Sequence, residues 1–186
     1  RHGPHKLTLQ QLRAAPHGID LGPLESRLPA RLGTRDKTID LAPAVYRDDL
    51  PRFERAAVPS GLVMIGRRHL RSNNSWLHNS ERLVKGPPRC TLLIHPDDAA
   101  ARGLADGATA KVATARGTIE LPVEITDAMM KGVVSVPHGW GHGRKGVRLS
   151  VASTVPGASI NDIIDPARID ALSGTSALSG QPVEVS

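Results

Sequence analysis

From Gly61 onward the chain is built of short apolar runs and alternating stretches. Leu62-Val63-Met64-Ile65, closed by Gly66, predicts a buried strand. Cys90-Thr91-Leu92-Leu93-Ile94 predicts a second. Residues 118–125 alternate, with Ile119, Leu121, Val123 and Ile125 on one face and Thr118, Glu120, Pro122 and Glu124 on the other. That period belongs to a half-buried antiparallel strand. Pro122 has no N–H to donate, which predicts an edge or a bulge there. Residues 108–114, 133–136 and 182–185 add three more strands, and Asp106-Gly107 and Arg116-Gly117 read as turns. One helix interrupts the series at 95–103: Pro96 sits at its first position, Asp97 and Asp98 face its positive end, and Gly103 stops it. Short strands at close spacing predict a mainly β fold with short helices, closed as a small barrel.

Upstream the pattern changes. Pro4, Pro16, Pro23, Pro29, Pro43 and Pro51 rule out a long helix, except over residues 7–14. Thr38-Ile39-Asp40-Leu41 alternates and predicts a lone strand. The expected organisation is an extended arm over residues 1–58, lying against something larger, and a barrel domain over 59–186. No apolar run reaches the ~18 residues of a membrane-spanning helix. Residues 1–20 carry no apolar signal-peptide core, so a cytoplasmic location is expected.

Charge sharpens this picture. The net charge is +6. Residues 61–89 hold Arg67, Arg68, Arg71, Arg82, Lys85 and Arg89 against Glu81 alone, and residues 128–161 hold Lys131, Arg144, Lys145 and Arg148 against no acid. The strands between these islands and the tail after them are net acidic. An anionic partner touching both islands would account for the division, whether nucleic acid or a phosphate-bearing cofactor; on charge alone, solvated surface cations are the favoured account. A single cysteine, Cys90, excludes an internal disulfide framework and any CxxC metal site. Placed in an apolar run, it reads as a small buried hydrophobe.

The densest candidate chemistry is Pro137-His138-Gly139-Trp140-Gly141-His142-Gly143, directly after the apolar run at 133–136. Glycines at a strand end let backbone approach another group closely. Trp140 is one of four aromatic residues, with Tyr46, Phe53 and Trp76. It either packs on a ligand or plugs an edge of the core.

The order of these pieces resembles the C-terminal domain of the molybdopterin oxidoreductases, the family of formate dehydrogenases, nitrate reductases and dimethyl sulfoxide reductases. The resemblance is carried by Leu62 to Arg67, by Ile94-His95-Pro96-Asp97-Asp98-Ala99-Ala100-Ala101-Arg102-Gly103-Leu104-Ala105-Asp106-Gly107, by Arg116-Gly117, by Pro137 to Gly141, by Asn161-Asp162, and by Ser173-Gly174 with Gly180-Gln181-Pro182-Val183. It implies a double-psi β-barrel that binds molybdopterin guanine dinucleotide. It also implies that the chain is the C-terminal portion of a formate dehydrogenase-like or nitrate reductase-like enzyme. Upstream domains or subunits would then hold molybdenum or tungsten and any iron–sulfur cluster. Alone, the chain would be inactive.

The resemblance marks the cofactor contacts as well. Gly66 and Arg67 end the first barrel strand, where the family approaches the cofactor. Arg67, His69 and Arg71 suit diphosphate oxygens. Ser72, Asn73, Asn74 and Ser75 suit pterin or ribose edges. His138, Gly139, Trp140 and Gly141 form a second, pterin-contacting loop, and Asn161 and Asp162 face pterin or guanine. No metal ligand and no catalytic residue is expected in this chain. The competing reading is a free-standing basic β-barrel that binds nucleic acid or another polyanion. Such a barrel calls for aromatics among its basic residues, and only Trp76 and Trp140 qualify. A self-processing decarboxylase on a similar barrel needs a Gly-Ser bond, which the sequence lacks.

Overall fold

Among the described residues, six strands carry the second half of the chain: β1 (Leu62–Arg67), β2 (Leu92–Ile94), β3 (Thr109–Thr114), β4 (Gly117–Ile125), β5 (Val133–Pro137) and β6 (Gln181–Val185). They close into a barrel in the order β1-β5-β2-β4-β3-β6. The computed structural model describes residues 3–57 and 59–186. Its fold is mainly β with short helices, and it divides into two units, Arg1–Ala56 and Ala57–Ser186.

The alternation along each strand decides the barrel's filling. On β4, Ile119, Leu121 and Val123 are buried while Glu120, Pro122 and Glu124 are exposed. Met64, Leu92, Ile94, Val112, Val134 and Val136 join the first three in one core. Pro122 lies at no edge, because the barrel has none. Val123 N donates to Ala108 O (2.8 Å), on the β3 side. An N–H at position 122 would therefore point toward β2, whose pairing begins only at Leu92 opposite Val123. The missing donor costs no ladder bond.

Strand directions gather the loops. β1 and β5 are parallel, with Arg67 opposite Pro137, so the segments that follow them leave side by side. β2 runs against β5 and parallel to β4, so both begin at that same mouth. Lys131 precedes β5 at the opposite end, where it pairs with Asp97 at the start of the helix that follows β2. The second basic island is thus split between the two ends of the barrel.

That helix, Pro96–Ala100, is shorter than expected, although its start is as the sequence indicates. His95 caps it, Nδ1 accepting from Asp97 N (3.1 Å), and Gly103 follows at φ 65°. β2 is also shorter than the apolar run from Cys90, because Thr91 turns its hydroxyl and carbonyl to Arg67 instead.

Among the described residues, the upstream unit contains three helices: α1 (Leu9–Ala14), α2 (Ala44–Arg47) and α3 (Leu50–Glu54). Thr8 and Gln11 form a capping box on α1. No strand forms at residues 38–41. Thr38 is drawn into a turn by Asp36, whose Oδ1 accepts from Thr38 N (3.2 Å) and Oδ2 from Thr38 Oγ1 (2.7 Å). Among the described residues of this unit none is buried. No helix among the described residues is long and apolar enough to cross a membrane.

Candidate functional site

The segment after β1 coils tightly over the barrel mouth. Ser72 N donates to His69 O (3.0 Å) and Leu77 N to Ser72 O (3.2 Å). Asn73 and Asn74 take left-handed backbone angles, φ 41° and 62°, which asparagine tolerates better than most residues. This presses the Asn74 carbonyl against the segment after β5. A Cβ on Gly139 (φ 97°) would lie 1.9 Å from Asn74 O, so only glycine lets the two loops touch there.

His78 lies beneath both loops. It is 1% exposed. One ring nitrogen, Nε2, is 2.8 Å from Ser72 Oγ; the other, Nδ1, is 2.7 Å from His142 Nε2. Its ring also lies against Trp140, centroids 4.0 Å apart. Burial, then the neighbouring His142, His69 and Arg89, lowers its pKa from 6.5 to about 4. His78 is therefore a neutral imidazole near pH 7, able to donate through one nitrogen and accept through the other. Burial lowers the pKa of His142 too.

A third segment seals the mouth. Gly141 N and His142 N both donate to Pro156 O (2.9 and 3.0 Å). A Cβ on Gly141 would lie 2.7 Å from Ser159 Cβ, and one on Gly66 would lie 3.8 Å from Ile160 Cδ1. Asn161, the next residue, is exposed there.

The structure brings most of the expected residues to one mouth but gives them different work. Arg71, Asn73 and Asn161 are exposed, and His69, Ser75 and His138 half-buried. Asn74 accepts from the Arg68 guanidinium. Ser72 is buried on His78. Arg67, expected on a diphosphate, points along the barrel wall instead. Its Nη1 donates to Ser135 O (2.6 Å) and its Nη2 to Thr91 O and Thr91 Oγ1 (both 2.8 Å). Desolvation there lowers its pKa, against the opposing pull of Glu124. Asp162 is paired with Arg144. Trp140 is core, 9% exposed, with Nε1 buried and unpartnered. Arg89, read as a surface cation, instead closes the end of the helix Glu81–Val84 by donating to Leu83 O (2.9 Å) and Lys85 O (2.7 Å). Cys90 is buried as expected.

Sequence reasoning missed His78. His142 stood in the glycine-histidine run at 137–143 but was given no partner, because nothing in the order of the chain pairs positions so far apart.

What remains open at this mouth suits a phosphorylated ligand with planar rings. Arg71 offers a cation, Asn73 and Asn161 offer amides that both donate and accept, and Trp76, 82% exposed, offers an aromatic face. The glycine contacts at 139 and 141 leave backbone, not side chain, at the loop junction. A neighbouring apolar recess, lined by Val84, Pro87, Pro88, Cys90, Trp140 and Pro156, lacks this polar set.

Residues 62–182 match the family described as the Molydopterin dinucleotide binding domain. The chain belongs to this family. The match runs from β1 into β6 and takes in all three mouth segments. Among curated proteins, the dimethyl sulfoxide/trimethylamine N-oxide reductase of Rhodobacter capsulatus is 52% identical over 56 residues, 30% of this chain and 7% of that protein. The biotin sulfoxide reductase of Cereibacter sphaeroides is 34% identical over 87 residues, 42% and 12% of the two chains. The dimethyl sulfoxide/trimethylamine N-oxide reductase of Cereibacter sphaeroides is 28% identical over 136 residues, covering 52% and 16%. The chain thus spans only a small part of the relatives it matches. Acetylene hydratase from Pelobacter acetylenicus shares the fold, with a TM-score of 0.55 at 22% identity over 67% of this chain and 18% of that one. The chain carries a molybdopterin dinucleotide binding domain.

Proposed function

We propose that this chain grips molybdopterin guanine dinucleotide between its 68–75 and 138–141 loops. In this reading it serves an enzyme that reduces a sulfoxide, N-oxide or related acceptor. The observation that carries the site is the contact of the two loops at Asn74 and Gly139 beside exposed Arg71, Asn73 and Asn161. The names of the relatives favour this substrate class over the formate oxidation or nitrate reduction suggested by the resemblance. The dinucleotide supplies the redox chemistry when bound. The chain's own part is to bind and orient it: Arg71 and His69 toward phosphate, Asn73, Ser75 and Asn161 toward ring and ribose edges. Molybdenum or tungsten is held with the upstream domains that form the chain's partners; Cys90, a lone cysteine buried just before β2, holds no iron–sulfur cluster. The two parallel pairs, β1 with β5 and β2 with β4, support the double-psi winding of the barrel. The polyanion-binding alternative loses ground because Lys131 and Arg144 are paired with acids and Lys131 lies at the far end.

The test is to assay the dinucleotide held by the full enzyme after Arg71→Ala and, separately, Arg116→Ala. Arg71→Ala is expected to lower retention roughly tenfold, the worth of one charged hydrogen bond to phosphate. Arg116→Ala, which loses only its pair with Asp165, is expected to retain it. Equal retention in both removes the phosphate role from this loop.

A further inference from the structure

His78 sits where the two loops could separate. Its ring joins residues 68–80 to 138–142 through a hydrogen bond to the His142 side chain and another to the Gly139 backbone. The same ring fixes Ser72 within the first loop and lies against Trp140 in the second. It therefore determines whether Asn73 and Ser75 on one side and His138 on the other face a common ligand.

We propose that His78 is the positioning residue of this mouth, clasping the two loops as a neutral imidazole, and that acid opens the clasp and releases the dinucleotide. This rests on the cofactor reading given above. The charges that face His78 are all of one sign or neutral: His142 from the second loop, His69 from the first and Arg89 from the segment before β2. Each disfavours a proton on His78 while the loops are closed, and the hydrogen bond to the Gly139 backbone opposes them only in part. Once the loops part, the ring meets water and takes a proton readily. The closed value, about 4, lies below the free value of 6.5, so the open form binds more protons. The clasp is then at full strength above about pH 6.5 and weakens as pH falls toward about 4. His142, also lowered, acts in the same direction.

The experiment uses the full enzyme that carries this chain, as wild type, His78→Ala, His78→Gln and His142→Ala. Release of dinucleotide is timed at a series of values between about pH 7.5 and about pH 5, the range in which histidine titrates. Wild type should release slowly at the upper limit and several times faster at the lower. His142→Ala and His78→Ala should release about tenfold faster at the upper limit, one lost hydrogen bond's worth, with little change on acidification. His78→Gln, whose amide bonds without titrating, should recover part of the retention and stay flat with pH. Should His78→Ala fail to fold, the half-buried His142→Ala decides. Loaded wild type with pH-independent release overturns the clasp, as does His142→Ala with the wild-type rate and profile. Wild-type enzyme carrying no dinucleotide overturns the cofactor reading, and this proposal with it.

Discussion

Gly139 shows how much of the site rests on single atoms. Its backbone occupies φ 97°, and an added methyl would meet Asn74 O at 1.9 Å. Gly146, at φ 95°, has nothing within 4 Å of the same position. The two glycines thus share the conformational penalty and differ in the clash. Gly146→Ala should cost about 1 kcal/mol and Gly139→Ala at least ~3 kcal/mol, read by urea denaturation. Equal losses would mean that the loop junction yields without cost. The run containing Gly139 was legible in the sequence as a close-approach loop, but its partner was not. Asn74 lies in a polar stretch without periodicity, and only the parallel pairing of β1 with β5 brings it there. Arg67 illustrates the converse. Its residue type suits a phosphate, yet the nearest acceptors are the carbonyls of Ser135 and Thr91, and desolvation has already been met by those bonds.

At the scale of elements, period-two alternation was the reliable guide. The apolar positions read on residues 118–125 are the buried ones from Ile119 to Val123, because a barrel strand has one face in the core and one in water. Leu121, 1% exposed, is therefore expected to cost about 2–5 kcal/mol on Leu121→Ala, whereas Glu120→Ala, on the outward face, should change the denaturation midpoint little. A small loss at Leu121 would show that the barrel interior can collapse around the missing side chain. Alternation misled at Thr38 to Leu41, where the same pattern has no neighbouring strand to complete its hydrogen bonds. Local Asp36 chemistry takes over there. Closure of the barrel was predictable from many short strands, but the order β1-β5-β2-β4-β3-β6 was not. It depends on pairings between residues far apart, about which local propensity carries no information.

The whole chain is two regions with opposite economies of burial. Residues 57–186 enclose a continuous core. In the upstream unit Leu24 is 98% exposed, Leu41 90% and Phe53 76%, and no described residue is buried. Hydrophobic burial is the main favourable term that offsets chain entropy, at roughly 25 cal/mol per Å² against about 1–2 kcal/mol per ordered residue. Helices of four to six residues without a buried face fall short of that balance. The capping box on α1 adds about 1 kcal/mol, which does not reverse it. Hydrogen exchange on this chain should therefore divide along the same line. Amides of residues 3–56 should exchange within a small factor of unfolded-chain rates, including those of α1. Amides paired within β1, β4 and β5 should be slowed by several orders of magnitude, up to the limit set by global unfolding. Protection of the upstream amides equal to that of residues 109–137 would mean that this unit finds burial of its own. Exchange that becomes protected only when the chain is within the full enzyme would identify the upstream domains as what covers it.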